Sequence, residues 1–304
     1  MTEISRISSL AIFTNATNNS NRTKANLANL QDQLSSGLKG KEFADFHGQV
    51  EQMVGLEKEV KRLQMYIDNN AETTSRLSVM EKSLQNMYQI AEDVKKNLTL
   101  RNNPVFNNSQ AFEIQTRNFI QTMAKELNVS ISGRFLFAGT NTDLPPVIDD
   151  PVPAPNEVGV PDKVYYQGSE ENVITRIQDN IDLEYDIRAD DEAFQKYFAA
   201  LWLSLEGNSE NNIEKINQAQ DMIDESLANM NKLIARVQTK RTNVDDIVTR
   251  QRDTKTYFNT VFLDIASVDT VEVASRVAID QATLQATYQV FARISSLNLS
   301  DFLR

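Results

Sequence analysis

The sequence predicts a mainly α-helical protein with a small β insert, in which the N- and C-terminal arms form a long antiparallel helical bundle or coiled-coil rod. Three observations carry this reading. Six of the seven prolines lie between Pro145 and Pro161, the seventh is Pro104, and no glycine follows Gly207. Proline and glycine are the main helix interrupters, so both ends of the chain are open to long helices and the middle is not. Apolar residues recur every three or four positions through both arms, whereas aromatic and β-branched runs crowd the middle.

In chain order, residues 1–33 read as an assembly segment. Ile4, Ile7, Leu10, Ala11 and Phe13 form a weak amphipathic face among Ser, Thr and Asn. Residues 34–132 read as the N-terminal arm of a helical core. Its seam runs Leu56, Val60, Leu63, Ile67, Asn70, Thr74, Leu77, Leu84, Ala91, Val94 and Leu98, mostly in alternating steps of four and three. A break is expected at Asn102–Pro104. A further helix over Ser109–Ser132 then places Phe112, Gln115, Phe119, Met123, Leu127 and Ile131 on one face.

Residues 133–204 read as the β-rich insert, with strand-like runs RFLFAGT, VYYQGS, VITRIQ and LEYDIR. The segment AFQKYFAALWLSLEG predicts a short helix, with Gly207 as its C-cap candidate. Residues 205–270 form the C-terminal arm. Strict heptad alternation from 213 to 265 meets apolar residues except at Gln220, Arg241, Gln251 and Lys255. A helix over that span is about 80 Å long at 1.5 Å per residue, which suits a rod. Arg241, Gln251 and Lys255 either specify register or mark a surface for a neighbour.

Residues 271–304 form a second assembly segment, with Leu284, Tyr288, Phe291, Ile294, Leu297, Leu299 and Phe302 at its end. Both termini are apolar enough to want a partner and too polar and short to build a core alone. They pack on each other within the monomer, or they stay mobile until neighbouring subunits bury them. The number of large apolar groups so close to the ends favours the second.

Composition excludes several functions. The net charge of −11 opposes binding to phosphate backbones and to anionic membranes. With no cysteine and a single histidine, His47, thiolate chemistry, disulfide frameworks and multi-histidine metal sites are excluded. No segment approaches the roughly 20 apolar residues of a membrane helix, and the first residues do not read as a Sec signal peptide. The pairs Asp149–Asp150 and Asp190–Asp191 read as solvated loop acids. Ser35–Ser36–Gly37 reads as a turn, and Trp202 as core. The sequence supports no catalytic, cofactor or metal site, and no enzyme.

Four motifs carry a family resemblance: QLSSGLKG at Gln33–Gly40, GRFLFAGTNTDLPPV at Gly133–Val147, VYYQG at Val164–Gly168, and LQATYQVFARISSLNLSDFL at Leu284–Leu303. In this order the sequence resembles the flagellin superfamily, and it looks most like the hook-associated protein 3 family of hook–filament junction proteins. Where relatives continue with a SADDPAG-like turn, this chain has FADFHG, Phe43–Gly48.

The resemblance implies an extracellular structural subunit at the hook–filament junction, exported through the flagellar type III apparatus. It implies assembly through Ile4, Ile7, Leu10, Phe13, Leu284, Tyr288, Phe291, Ile294, Leu297, Leu299 and Phe302. The implied partners are like subunits in a ring, a neighbouring hook-associated protein on the hook side, flagellin on the filament side, and an export chaperone on the C-terminal helix. A filament-forming flagellin is the nearest alternative, and a non-flagellar coiled-coil adaptor the more distant one.

Overall fold

The computed structural model describes residues 2–40, 42–46, 48–103, 108–185 and 187–302, with side chains except at 2–10, 12, 13, 44 and 294–302. Among these residues are six helices: α1 (Thr2–Ser36), α2 (Val50–Arg101), α3 (Ser109–Leu127), α4 (Glu192–Ser209), α5 (Ile213–Ala266) and α6 (Thr270–Phe302). A 3-10 turn, Phe43–Asp45, follows α1. Two antiparallel hairpins complete the chain, β1 (Ser130–Ile131) with β2 (Arg134–Phe135) and β3 (Val173–Gln178) with β4 (Ile181–Tyr185). The fold is thus mainly α with a small β insert. The chain divides into two compact units, Leu63–Asp253 on one hand and Met1–Arg62 with Thr254–Arg304 on the other.

In the Leu63–Asp253 unit the two heptad seams are buried. Ile67, Leu77, Leu84, Ala91, Val94 and Leu98 of α2 share one core with Ile216, Ile223, Leu227, Met230, Val237, Val244 and Val248 of α5. Burial of each large side chain contributes ~1.5–3 kcal/mol. Polar pairs fix the register. Asn70 meets Gln251 at 3.1 Å, Thr74 meets Asp245 at 3.1 Å, Glu81 meets Arg241 at 2.6 Å and Lys95 meets Asp224 at 2.7 Å. Asn102 meets Asn217 at 2.7 Å. As the partner on α2 moves forward, its partner on α5 moves backward, so the helices are antiparallel.

Two of the seam interruptions therefore work within the chain. Arg241 pairs with Glu81, and Gln251 sits in a buried polar layer. A β-bulge between Arg176 and Gln178 takes Ile177 out of the β3–β4 ladder. Its carbonyl accepts from Asn70 Nδ2 at 2.8 Å and from Gln251 Nε2 at 2.9 Å. One carbonyl thereby ties the hairpin to both long helices. Asn70→Ala removes a donor from Ile177 and a partner from Gln251 in a water-excluded layer. We expect a loss of about 1–3 kcal/mol by urea denaturation, with helix content unchanged.

α3 and α4 complete this core. α4 is buried on almost every face, as Phe194, Tyr197, Phe198, Leu201 and Leu205 require. Asp191 caps it, its side chain accepting from Ala193 N at 3.0 Å, and burial raises that carboxyl above the usual range. Asp190 is held by a two-bond pair with Arg188, at 2.9 and 3.2 Å. The Asp190–Asp191 pair is thus a salt bridge and a cap. Trp202 is half-buried against the core under Arg117, 5.8 Å from its ring.

Several expectations need correction. RFLFAGT is a strand only at Arg134–Phe135; the rest bends, because Phe137, Ala138 and Gly139 pass through the core. VYYQGS contributes one bridge, Tyr166 with Val147, in place of a strand. Tyr165 is fully buried, its hydroxyl donating to Ala189 O at 2.9 Å, and burial pushes the Tyr166 hydroxyl up to about 12. VITRIQ forms β3, and LEYDIR enters its partner only at Leu183–Tyr185, because β4 begins earlier, at Ile181. Gly207 lies inside α4, whose C-cap is Glu210. A Cβ at Gly207 would approach Lys215 Cβ to 2.9 Å, so the glycine serves the tight α4–α5 connection. On α3 the buried face is Phe112, Thr116, Ile120, Met123 and Leu127; Gln115 is exposed and Ile131 belongs to β1.

Candidate functional site

The unit formed by Met1–Arg62 and Thr254–Arg304 holds both terminal helices, and its central feature is a pair of helix breaks joined by the backbone. α1 stops because Gly37 adopts φ +72°, with its N–H donating to Gln33 O at 2.8 Å. Ser35 and Ser36 hydroxyls donate to Asp32 O at 3.0 and 2.8 Å, and Ser36 Oγ accepts from Leu38 N at 3.2 Å. The SSG sequence is therefore a helix stop. α5 ends at Ala266, and α6 restarts under Asp269, whose carboxylate accepts from the N–H of Val271 at 2.9 Å and Glu272 at 3.1 Å.

The two breaks face each other. Leu38 and Ser267 form an antiparallel bridge, with Lys39 N donating to Ala266 O at 2.8 Å and Val268 N to Gly37 O at 3.0 Å. Lys39 Nζ donates to Ile265 O at 2.7 Å, and Gln33 Nε2 returns to Lys39 O at 2.8 Å. The last carbonyls of a helix lack intrahelical partners and carry its negative end. α5 has no basic residue in its own last turn. Lys39 of the other arm supplies the charge and one donor, and its backbone N–H supplies a second. A small apolar cluster supports this clip: Phe46, Met53, Ile265 and Ala266, with Leu38, Val50, Leu56, Val261 and Phe262 packed on it. Phe46 of FADFHG is thus a core residue of this unit, and Phe43 is largely exposed. His47 lies outside the described residues.

Gly37 has no atom within 4 Å of an added Cβ, so its constraint is purely conformational. Gly37→Ala is expected to destabilise the clip by about 1–2 kcal/mol, the left-handed penalty of an L-residue. The readout is faster amide exchange at Lys39 and Val268, with exchange in α3 and α4 unchanged.

Beyond the clip α1 and α6 run antiparallel. Asn26 Nδ2 donates to Asp280 Oδ2 at 2.7 Å, and Lys24 Nζ lies 5.4 Å from the Tyr288 ring centre. Two helices can cover only one face of each other. Leu30, Val273 and Leu284 are buried between them, but Val271 is 78%, Ile279 61%, Val290 52% and Tyr288 47% exposed.

Of the residues expected to carry assembly, Leu284 is therefore buried inside the pair, Tyr288 is open and Phe291 is intermediate. Ile4, Ile7 and Leu10 lie on α1, with Phe13, and Ile294, Leu297, Leu299 and Phe302 lie on α6; these side chains are outside the described ones. Val271, Ile279 and Val290 were not singled out from the sequence. Their signal was apolar β-branched residues on a helix at positions the seam does not use.

Among the described residues no group of three or more Asp, Glu or His side chains is placed to hold a metal ion. No helix of the described residues is long and apolar enough to cross a membrane.

The comparisons with known proteins agree with this architecture. Residues 7–142 match the family model of the bacterial flagellin N-terminal helical region. The fold is similar to that of a protein described as a flagellar hook-associated protein from Vibrio parahaemolyticus, with a TM-score of 0.62 and 16% identity. That match covers 73% of this chain and 100% of the other. It is also similar to Bacillus cereus FlgL, with a TM-score of 0.55 and 13% identity, covering 68% of this chain and 96% of that one. No curated protein matches at the sequence level.

Proposed function

We propose that this chain, which carries a flagellin N-terminal helical region on the fold of flagellar hook-associated proteins, is a structural subunit of the bacterial flagellum that joins hook to filament. The observation that carries the proposal is the α1–α6 pair, clipped at one end through QLSSGLKG and leaving Val271, Ile279, Tyr288 and Val290 uncovered. Apolar surface of this kind on a helix pair is completed by neighbours. Like subunits in a ring supply them laterally, a hook-associated protein and flagellin supply them axially, and an export chaperone covers α6 before assembly. The family resemblance adds the terminal residues Ile4, Ile7, Leu10, Phe13, Ile294, Leu297, Leu299 and Phe302 to the proposed assembly segments. The resulting role is mechanical, with no catalysis, and it places the protein outside the cell.

Immunogold labelling of intact flagella tests this directly. Label confined to the hook–filament boundary is the expected result. Label along the whole filament replaces the junction role with that of a filament flagellin, and flagella without label remove both in favour of an adaptor elsewhere.

A further inference from the structure

Within the Leu63–Asp253 unit, α2, β2 and the start of β3 enclose a groove of about 300 Å³. Phe135, Leu136, Val173 and Ile174 give it an apolar wall, and Arg76 and Arg134 stand beside them. A polar recess lined by both arginines and Tyr185 continues it. Ile174 leaves 65% of its surface open. Glu72 engages Arg76 at 2.6 Å, but Arg134 is exposed and has no carboxylate partner among the described residues.

The same unit displays a segment of complementary chemistry. Ile148 is exposed, and the next two residues, Asp149 and Asp150, are exposed carboxylates without a cation partner among the described residues. The start of the segment and the residues before it are held by hydrogen bonds within their own chain. Val147 exchanges two hydrogen bonds with the Asn128 side chain, both 2.9 Å, and Ile148 N donates to Tyr165 O at 3.0 Å. Gln167 holds Pro146 O through its backbone N–H at 2.8 Å and Pro145 O through Nε2 at 2.9 Å.

We propose that the groove receives the Ile148–Asp149–Asp150 segment of a second copy of this chain, with Ile148 on the apolar wall and the carboxylates toward Arg134 and Arg76. The proposal rests on the ring reading given above and specifies its lateral contact. Groove and segment are different patches of one chain, so the contact is heterologous; it runs head to tail and closes into a ring when the rotation between copies closes. The charged groups set register and exclude wrong partners.

The chain has no cysteine, so Ile174→Cys and Ile148→Cys introduce the sole thiols. Flagella built from a mixture of the two single variants are oxidised and run on a non-reducing gel. A disulfide-linked dimer of the two variants is expected. Adding Arg134→Glu to the Ile174→Cys copy should lower its yield at least about tenfold through like-charge juxtaposition. Adding Asp149→Lys and Asp150→Lys to the Ile148→Cys copy should then restore it. Absence of the dimer, a yield indifferent to Arg134→Glu, or a disulfide from Ile174→Cys to a different flagellar protein overturns the contact. Immunogold on the same flagella separates the two readings: label at the hook–filament boundary without the dimer removes this contact alone, and label elsewhere removes the ring.

Discussion

The double substitution Ile279→Asp with Val290→Asp is expected to leave the chain folded and to abolish its incorporation into flagella. Both side chains are more than half exposed on α6. In the free subunit their replacement therefore costs little beyond helix propensity, about 0.7 kcal/mol or less per position. In the assembly proposed above the same two positions would be covered, and an unpaired carboxylate buried there costs several kcal/mol or more. The two effects differ by enough that incorporation should fall more than about a hundredfold, while the circular-dichroism melt stays within a few degrees of the parent. Counting gold particles per flagellum, alongside secreted protein in the medium, reads the loss. Incorporation at the parental level would show that this face of α6 stays in solvent, and the assembly surface would have to be sought elsewhere.

A control sharpens the comparison. Leu284 lies on the same helix but is buried between α1 and α6. Leu284→Ala is expected to lower the stability of the helix pair by about 2–3 kcal/mol, the lower part of the range for such truncations because the pair is thin and can relax. Assembly would suffer through folding in this variant and through contact in the other. Hydrogen exchange in α1 distinguishes them: it accelerates in Leu284→Ala and not in the aspartate pair.

How much of this was legible in the sequence depended on the period of the signal. The α2 and α5 seams repeat over many turns, and proline and glycine are absent where they would interrupt, so the helices and their antiparallel pairing could be read directly. The polar interruptions at Asn70, Arg241 and Gln251 were visible as exceptions, but their partners were not. Glu81 and Ile177 O are remote in sequence, and only the shared register of α2, α5 and the bulged hairpin brings them together. The insert was harder still. An apolar run such as RFLFAGT has the composition of a strand and of any buried chain crossing. Without a repeat, nothing local separates the two, and here Phe137 and Ala138 are buried by packing while their backbone follows no ladder. The helix stop at Gly37 was legible as a motif. Its bridge to Ser267 was not, because that pairing joins the two ends of the chain.

That crossing explains the glycine next to the end of the RFLFAGT run, and it sets the largest stability effect expected in the insert. Gly139 has φ +63°, and a Cβ there would stand 2.3 Å from Ser169 O and 2.6 Å from Glu171 O. Both contacts are backbone, and the backbone is held in place: Ser169 N donates to Ala138 O at 2.9 Å and Thr140 N to Glu171 O at 3.1 Å. A methyl group can enter only if this segment moves, which breaks one or both of those bonds above the buried Phe137. Gly139→Ala should therefore cost about 2–5 kcal/mol, summing the left-handed penalty with one or two lost backbone hydrogen bonds. Gly133 provides the matched comparison, since its φ is +77° but no atom lies within 4 Å of an added Cβ. Gly133→Ala should cost only the conformational part, about 1–2 kcal/mol. Urea denaturation of the two variants side by side measures the difference. Equal losses would mean that the Ser169–Glu171 segment yields freely and that the glycine is there for its φ alone.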